Sequence, residues 1–384
     1  MAIQGEQVLH VVNISFVLPY YIGGQFDYFQ NKGAYFFVAC YDDEYLRNYT
    51  KSKNIVAIPT NILREIDIME DIKAIIKLIK EIKRREIGIV IAHTPKGALV
   101  GIIASYFAGV KKRIYFRHGI MYETSVGWKR RLLIGIERLT SRLATKVVCV
   151  SPSVLRKSIE GRLTTASKCL LLNKGTCNGV DAQVAFNKMF IPKDTSYALR
   201  RKYNVKGEDI VIGYVGRLVK DKGISELLAA WKQITAKNTH VKLLLVGPYE
   251  QRDSITEEDK LYIKQEGSII HTGLIENVSP FYTLMEIFVL PSYREGFPTV
   301  VLEASAMEIP VITTKSTGCI DSIIENETGI FTEITAEDIA SKIEFYIQHR
   351  KLAKEHGMNG RKFVLENFQQ EVIWKEIEKK IFES

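Results

Sequence analysis

The sequence predicts an α/β protein of two doubly wound domains, each a parallel sheet with helices on both faces. Three observations predict it. Short runs rich in β-branched residues alternate with longer segments of helical periodicity, the pattern of parallel strands joined by crossover helices. The series stops in a polar stretch between about Asn178 and Gly207, where Pro192, Lys193 and Asp194 sit between patterned segments, and then starts again. The chain of 384 residues also exceeds what one hydrophobic core usually organises.

The elements follow in order. VLHVVNISFVL (8–18) reads as a buried strand, with shorter strands at 38–40 and 55–58. DIMEDIKAIIKLIKEIKRRE (67–86) has apolar residues at helical spacing. IGIVIAH (87–93) is a strand, followed by a helix of small residues to Ala108. RIYFRH (113–118), KVVCVS (146–151) and KCLLLN (168–173) continue the series. After the break, DIVIGYVGRL (209–218) and GISELLAAWKQI (223–234) form a strand and its helix. VKLLLVG (241–247), SIIHTG (268–273), IFVLPS (287–292) and IPVITT (309–314) are further strands. The predicted domains are 1–185 and 186–366. A closing segment, 367–384, carries Trp374, Ile377 and Ile381 at helical spacing. Open α/β sheets bind ligands beyond the carboxyl ends of their strands, so two such domains predict a cleft there.

Composition excludes several classes. Cys40, Cys149, Cys169, Cys177 and Cys319 are an odd number without CxxC spacing. That argues against a disulfide framework or zinc site and for a reducing compartment. The opening MAIQGEQ has no basic cluster before its apolar run and makes a poor signal peptide. The longest apolar stretch, Gly97 to Val110, is shorter than the roughly 20 residues that span a bilayer. The expectation is a cytoplasmic protein, free or peripheral on the inner face of the membrane. The formal charge is +9, unevenly placed: between Lys111 and Gly175, fifteen basic residues are answered by three acids, Glu123, Glu137 and Glu160. Such a face meets nucleic acid or acidic lipid. The chain lacks aromatic-basic recognition motifs, which disfavours nucleic acid, and no GxGxxG follows its first strand, which disfavours a nicotinamide dehydrogenase.

Two motifs carry chemistry. In GRLVKDKG, Gly216 and Arg217 end a strand while Lys222 and Gly223 open a helix. Two cations and free backbone N–H groups at one helix N-terminus suit a diphosphate, although a basic solvated turn has the same composition. In YREGFPTVVLEAS, Glu295 precedes a helix whose first turn takes Pro298, and Glu303 lies about one turn inside. Gly296 permits close backbone approach. A carboxylate pair can serve glycoside hydrolysis. The neighbouring helix N-terminus favours instead an anionic ligand whose hydroxyls the carboxylates accept.

Taken together, Gly216, Arg217, Lys222, Gly223, Pro291, Ser292, Glu295, Gly296, Pro298, Glu303 and Ala304 stand in the order and spacing of a known pattern. The sequence here resembles the retaining GT-B glycosyltransferases of family four, built from two Rossmann-like domains facing across a cleft. Pro310 to Thr313, Gly318, Thr328-Gly329 and the inter-domain Asn178-Gly179-Val180-Asp181 extend the likeness. The resemblance implies that Arg217 and Lys222 hold the donor diphosphate and stabilise the leaving group. Glu303 would bind the ribose hydroxyls, and Glu295 the transferred sugar or its reacting face. The motif around Gly216, Gly296, Phe297, Pro298 and Thr299 would cradle the donor. Backbone near Leu274 and Ile275 would meet the base. It further implies retention by front-face return, a nucleotide-sugar substrate with no cofactor, and a last helix that crosses back to the N-terminal, acceptor-binding domain. No Asp-x-Asp motif is placed to bridge a metal, so metal independence is expected.

In the first half, Gly23-Gly24 stands where the family's glycine loop approaches the donor, and His118 of Arg117-His118-Gly119 where a family histidine contacts the sugar. Each can equally be an ordinary loop residue. His93-Thr94-Pro95-Lys96 and Lys174-Gly175-Thr176 end strands and could receive an acceptor phosphate through backbone amides and a lysine, or be structural turns. The stretch from His93 to Ser153 resembles the branch that assembles bacterial capsule, O-antigen or N-glycan precursors on a polyprenyl diphosphate. For that branch a UDP-linked N-acetylhexosamine or 6-deoxy relative is the expected donor. On the helix from Trp128 to Ala144, Trp128, Leu132, Leu133, Ile136, Leu139 and Leu143 share a face read as core packing. Lys129, Arg130, Arg131, Arg138 and Arg142 flank it and suit acidic lipid or a lipid diphosphate. A soluble acceptor, or a basic binding protein without catalysis, are the competing readings.

Overall fold

The computed structural model describes residues 3–63, 65 and 67–383. The chain divides into two compact units: Met1–Asn178 with Glu371–Ser384, and Gly179–Gln370. Unit 1 holds β1 (Gln7–Val11), β2 (Tyr35–Cys40), β3 (Val56–Pro59), β4 (Ile89–Ala92), β5 (Lys112–Arg117), β6 (Lys146–Cys149) and β7 (Cys169–Leu171). Unit 2 holds β8 (Ile210–Val215), β9 (Val241–Val246), β10 (Ile269–His271), β11 (Ile287–Leu290), β12 (Val311–Thr314) and β13 (Gly329–Thr332).

All named strand pairs are parallel, in the orders β3-β2-β1-β4-β5-β6-β7 and β10-β9-β8-β11-β12-β13. In each sheet the chain runs outward from its first strand and then resumes on that strand's other side. The crevices so made, beyond β1/β4 and β8/β11, are where open α/β sheets take ligands. Because both sheet faces are covered, the inner strands are almost wholly buried, while the edge strands β3 and β7 keep partial exposure. Trp231, Tyr214, Phe288 and Leu244 lie at the heart of unit 2; Leu9, Val11, Val90 and Tyr115 lie at that of unit 1.

The structure corrects several expectations. The strand read over 8–18 ends at Val11. Ser15–Val17 forms a 3₁₀ turn and Leu18–Tyr21 a helical turn started by Pro19. The polar break contains the Lys193–Lys202 helix, capped by Pro192, whose five charged side chains hid its periodicity. Within unit 1, the Gln370–Ile377 helix and the turn after it bury Ile373, Ile377, Ile381 and Phe382. Phe382 packs on Phe29, and Trp374 donates to Asn178 Oδ1.

The largest correction concerns the Gly127–Leu143 helix. Half of the predicted apolar face is not core: Trp128 is 77% exposed, Leu139 46% and Leu132 41%, whereas Leu133 and Leu143 pack on the core as expected. The helix instead buries Glu137, Thr140 and Ser141, with Leu133, Ile134 and Leu143 alongside. The cause is Arg117, which points inward from β5 and is wholly enclosed. It donates to Glu137 Oε2 at 2.8 Å and to Ser141 Oγ at 2.7 Å, while Tyr115 donates to Glu137 Oε1 at 3.0 Å. A buried guanidinium must have its carboxylate, so the helix turns Glu137 inward and half of its apolar stripe faces out. Among the described residues no helix is long and apolar enough to cross a membrane.

Candidate active site

In unit 2 the site grows from glycines that let backbones touch. Gly216, directly after β8, has φ +148°, and its carbonyl lies 2.0 Å from where a Cβ on Gly247 would stand. Gly223 takes φ +69° at the start of the Ile224–Thr235 helix, with Pro291 carbonyl 2.1 Å from its missing Cβ. This crowding brings the loop after β8 against the loops after β9 and β11.

The charged residues then meet. Lys222 Nζ pairs with Glu295 Oε1 at 2.5 Å, both largely buried. Arg217 pairs with Glu250 and is held from behind by Tyr214, whose hydroxyl donates to its carbonyl at 2.8 Å. Glu295 N donates to Thr317 carbonyl, and Gly318, with φ +80°, lies under Glu295 and Gly296. Pro298 caps the Thr299–Ala306 helix, one place earlier than predicted, without a side-chain cap bond. Val301 N donates to the Pro298 carbonyl, and the amides of Thr299 and Val300 ahead of it suit an anion. Glu303, one turn in, is buried and accepts from Tyr282 Oη at 2.7 Å. Burial pushes its carboxyl up to about 7, and the tyrosine bond opposes that. Gly273 is left-handed, Leu274 is exposed and Ile275 packs on the core. Phe297 stacks near Phe368.

In unit 1, Gly23 is required, since φ is +49° and a Cβ would lie 2.4 Å from Pro19 carbonyl. Gly24 has ordinary helical geometry. His118 follows β5, stacks on Tyr21 with ring centroids 3.8 Å apart, and bonds to His93 at 3.0 Å. Thr94 and Thr176 hold positive φ, +61° and +67°. Such strain in β-branched residues gathers at ligand sites. Lys174 is exposed. Lys96 differs from the expectation: its ammonium is paired with Asp71 at 2.5 Å and donates to Glu65 carbonyl, tying one helix to another rather than facing a phosphate.

Sequence reasoning missed Glu250, Tyr282, Asp221, Arg294, His10 and Asn13. Arg294 pairs with Asp221 beside Lys222. Asn13 Oδ1, just beyond β1, is buried without a hydrogen-bond partner. An Asn directly after the first strand was the available signal.

Comparison with known proteins decides the family. The capsular polysaccharide biosynthesis glycosyltransferase CapM of Staphylococcus aureus is 34% identical over 377 residues, covering 98% of this chain and 96% of that protein. The chain belongs to glycosyltransferase family 4. The family description Glycosyltransferase Family 4 matches residues 27–168 of the enzyme, and Glycosyl transferases group 1 matches 196–363. An Escherichia coli UDP-Gal:alpha-D-GlcNAc-diphosphoundecaprenol alpha-1,3-galactosyltransferase is 25% identical, covering 76% of the enzyme and 73% of its own length. Anabaena Alr3699/HepE, solved in complex with UDP-glucose, superposes with a TM-score of 0.82 at 17% identity, over 98% of the enzyme and 100% of that chain. A glycosyltransferase from Rickettsia africae ESF-5 gives 0.81 at 20%, over 98% of both. The fold is GT-B.

Proposed function

We propose that this glycosyltransferase moves a sugar from a UDP-linked donor, an N-acetylhexosamine or 6-deoxy relative, onto a polyprenyl-diphosphate-linked saccharide in bacterial surface polysaccharide synthesis. The observation that carries the donor half is the cluster of Arg217, Lys222, Glu295 and Glu303 around the Thr299–Ala306 helix N-terminus. The cations would take the diphosphate and stabilise charge on the leaving group. Glu303 would accept from the ribose, Glu295 from the transferred sugar, and the Leu274–Ile275 backbone would meet the base. With two cations and a helix terminus in that role, transfer would need no metal and would retain configuration, the leaving phosphate oxygen taking the acceptor proton. His118, Thr176, Lys174 and the Gly23 loop would serve the acceptor and sugar in unit 1. The names of CapM and of the Escherichia coli relative support the pathway and the lipid-linked acceptor.

The exposed stripe of Trp128, Leu132 and Leu139, bordered by Lys129, Arg131 and Arg142, would dock on an acidic leaflet. An amphipathic helix lies in a bilayer surface in that manner. Fewer cations are available to it than the charge count suggested. Arg117 is buried, Lys168 caps carbonyls of Ser141, Arg142 and Ala144, and Lys112 binds those of Ile381 and Phe382.

A nucleotide-sugar panel in thermal shift, followed by transfer in excess chelator, tests the donor reading. No stabilisation by any UDP-sugar, or activity lost in chelator and restored by magnesium, overturns it. Vesicle co-sedimentation tests the docking. The protein should pellet with anionic vesicles at low salt and release at high salt. Lys129/Arg130/Arg131→Glu should stay in solution.

A further inference from the structure

Three histidines of unit 1 form a continuous row. His10 Nδ1 lies 3.1 Å from His93 Nε2, and His93 Nδ1 lies 3.0 Å from His118 Nε2. The sheet register explains the row. His10 stands opposite Ile91, and Ile91 opposite Ile114. Side chains two apart share a face, so His10, Ile91, His93, Ile114, Phe116 and His118 lie on one side of the sheet. The row therefore climbs about two residues per strand, from the interior of β1 to the edge beyond β5. His10 and His93 are buried, and His118 keeps partial exposure. Phe26 and Phe36 pack on His10, Phe116 on His93 and Tyr21 on His118. Burial pushes His10 and His118 down to about 3 and His93 well below its ordinary value, so each ring is neutral and carries one proton.

That proton count constrains the row. His93 uses both nitrogens, so it must donate through one and accept through the other. If His93 Nδ1–H donates to His118 Nε2, His118 carries its proton on Nδ1 and His10 Nδ1–H donates to His93. If the polarity is reversed, His118 Nε2–H donates to His93 and its Nδ1 is a bare lone pair. The two polarities place the proton of every ring on opposite nitrogens, so the tautomer of His118 is tied through His93 to that of His10, and in either polarity all three rings stay neutral.

We propose that these residues act as one tautomer relay. In it, His10 and His93 are positioning residues that decide whether His118 offers a proton or a lone pair to a sugar hydroxyl. The proposal rests on the assignment of His118 to the sugar. It explains why a glycosyltransferase keeps imidazoles in the interior of β1, where an aliphatic side chain would pack as well. It also places the control of a site group two strands away.

Ring-¹⁵N spectra of full-length, histidine-labelled protein test it, read beside kinetics. His10→Phe preserves an aromatic shape but removes the last nitrogen of the row. It should move the His118 Nδ1 and Nε2 signals toward a mixture of tautomers. It should lower kcat about tenfold, the rate equivalent of one hydrogen bond, and leave nucleotide diphosphate affinity unchanged. His93→Leu, which offers His118 Nε2 neither a donor nor an acceptor, should release the His118 tautomer in the same way, and it provides the test should His10→Phe not fold. Unchanged His118 signals in either folded variant would overturn the relay. His118→Ala separates the two claims: full turnover in that variant removes His118 from the reaction, whereas the spectra report on the relay itself.

Discussion

Arg117 and Arg217 both stand at the carboxyl end of a strand, one in each unit, and they do opposite work. Arg117 has no exposed side-chain surface and spends its charge on Glu137 and Ser141 inside the fold. Arg217 is 48% exposed in its side chain, paired with Glu250 at the mouth of its sheet. The same residue at the same kind of position is a buried structural tether in one unit and a half-exposed group, proposed above for the donor diphosphate, in the other. The difference lies in what meets each guanidinium: a helix that supplies a buried carboxylate over β5, and Glu250 from the loop after β9, which leaves Arg217 half-exposed beyond β8.

The comparison can be broken at either arginine. The largest effect is expected at the tether. Glu137→Leu strands the Arg117 charge in the interior and should cost about 3–5 kcal/mol in denaturant unfolding. Glu250→Gln, its counterpart, should cost less than about 0.5 kcal/mol. Equal losses would erase the distinction. Next, Arg217→Ala and Lys222→Ala should each lower kcat by about 10²–10³-fold and weaken nucleotide diphosphate binding, with stability little changed. Wild-type turnover in either variant removes that residue from the donor site.

Glu303 gives a pH signature opposite in sign to that of the buried histidines of unit 1, whose values burial lowers. Its folded value of about 7 lies above the ordinary 4.5. Between those values the folded protein holds a proton that the unfolded chain has released. Stability from this group is therefore lost as pH rises through that window, by on the order of 3 kcal/mol. Glu303→Gln should flatten that slope, as urea unfolding at about pH 5 and pH 8 would show; an unchanged slope places its origin elsewhere. The smallest effect is expected on the outer stripe. Trp128→Ser with Leu132→Ser should change stability by less than about 0.5 kcal/mol, yet release the protein from anionic vesicles. A large loss of stability would mean that the stripe packs within the fold after all.

The sequence made the two doubly wound units legible because parallel strands buried on both faces leave short, continuous apolar runs. The motif proposed for the donor was legible because Arg217, Lys222, Glu295 and Glu303 are charged residues at fixed offsets from strands and helices. What stayed hidden depended on partners distant in the chain. The helical pattern from Trp128 to Leu143 identified the helix but not its inner face, because Glu137 turns inward only to answer Arg117. Lys96 looked free until Asp71, on another helix, was seen beside it. Tyr282 and Glu303 lie 21 residues apart with nothing in either segment to announce their bond. His10 read as one residue of an apolar strand, and only the register with β4 sets it against His93.

The Gln370–Ile377 helix has a consequence for the order in which the chain can be built. Unit 2 is complete by Gln370, whereas unit 1 still lacks the segment that buries Ile373, Ile377, Ile381 and Phe382. On the ribosome, therefore, the first unit to begin synthesis is the last able to close. Until residues 371–383 emerge, Phe29 lacks its apolar cover and Lys112 lacks its carbonyl partners. Unit 1 must wait, part-formed, through the whole translation of its neighbour, and a chain interrupted near residue 370 would carry a finished unit 2 and an open core in unit 1.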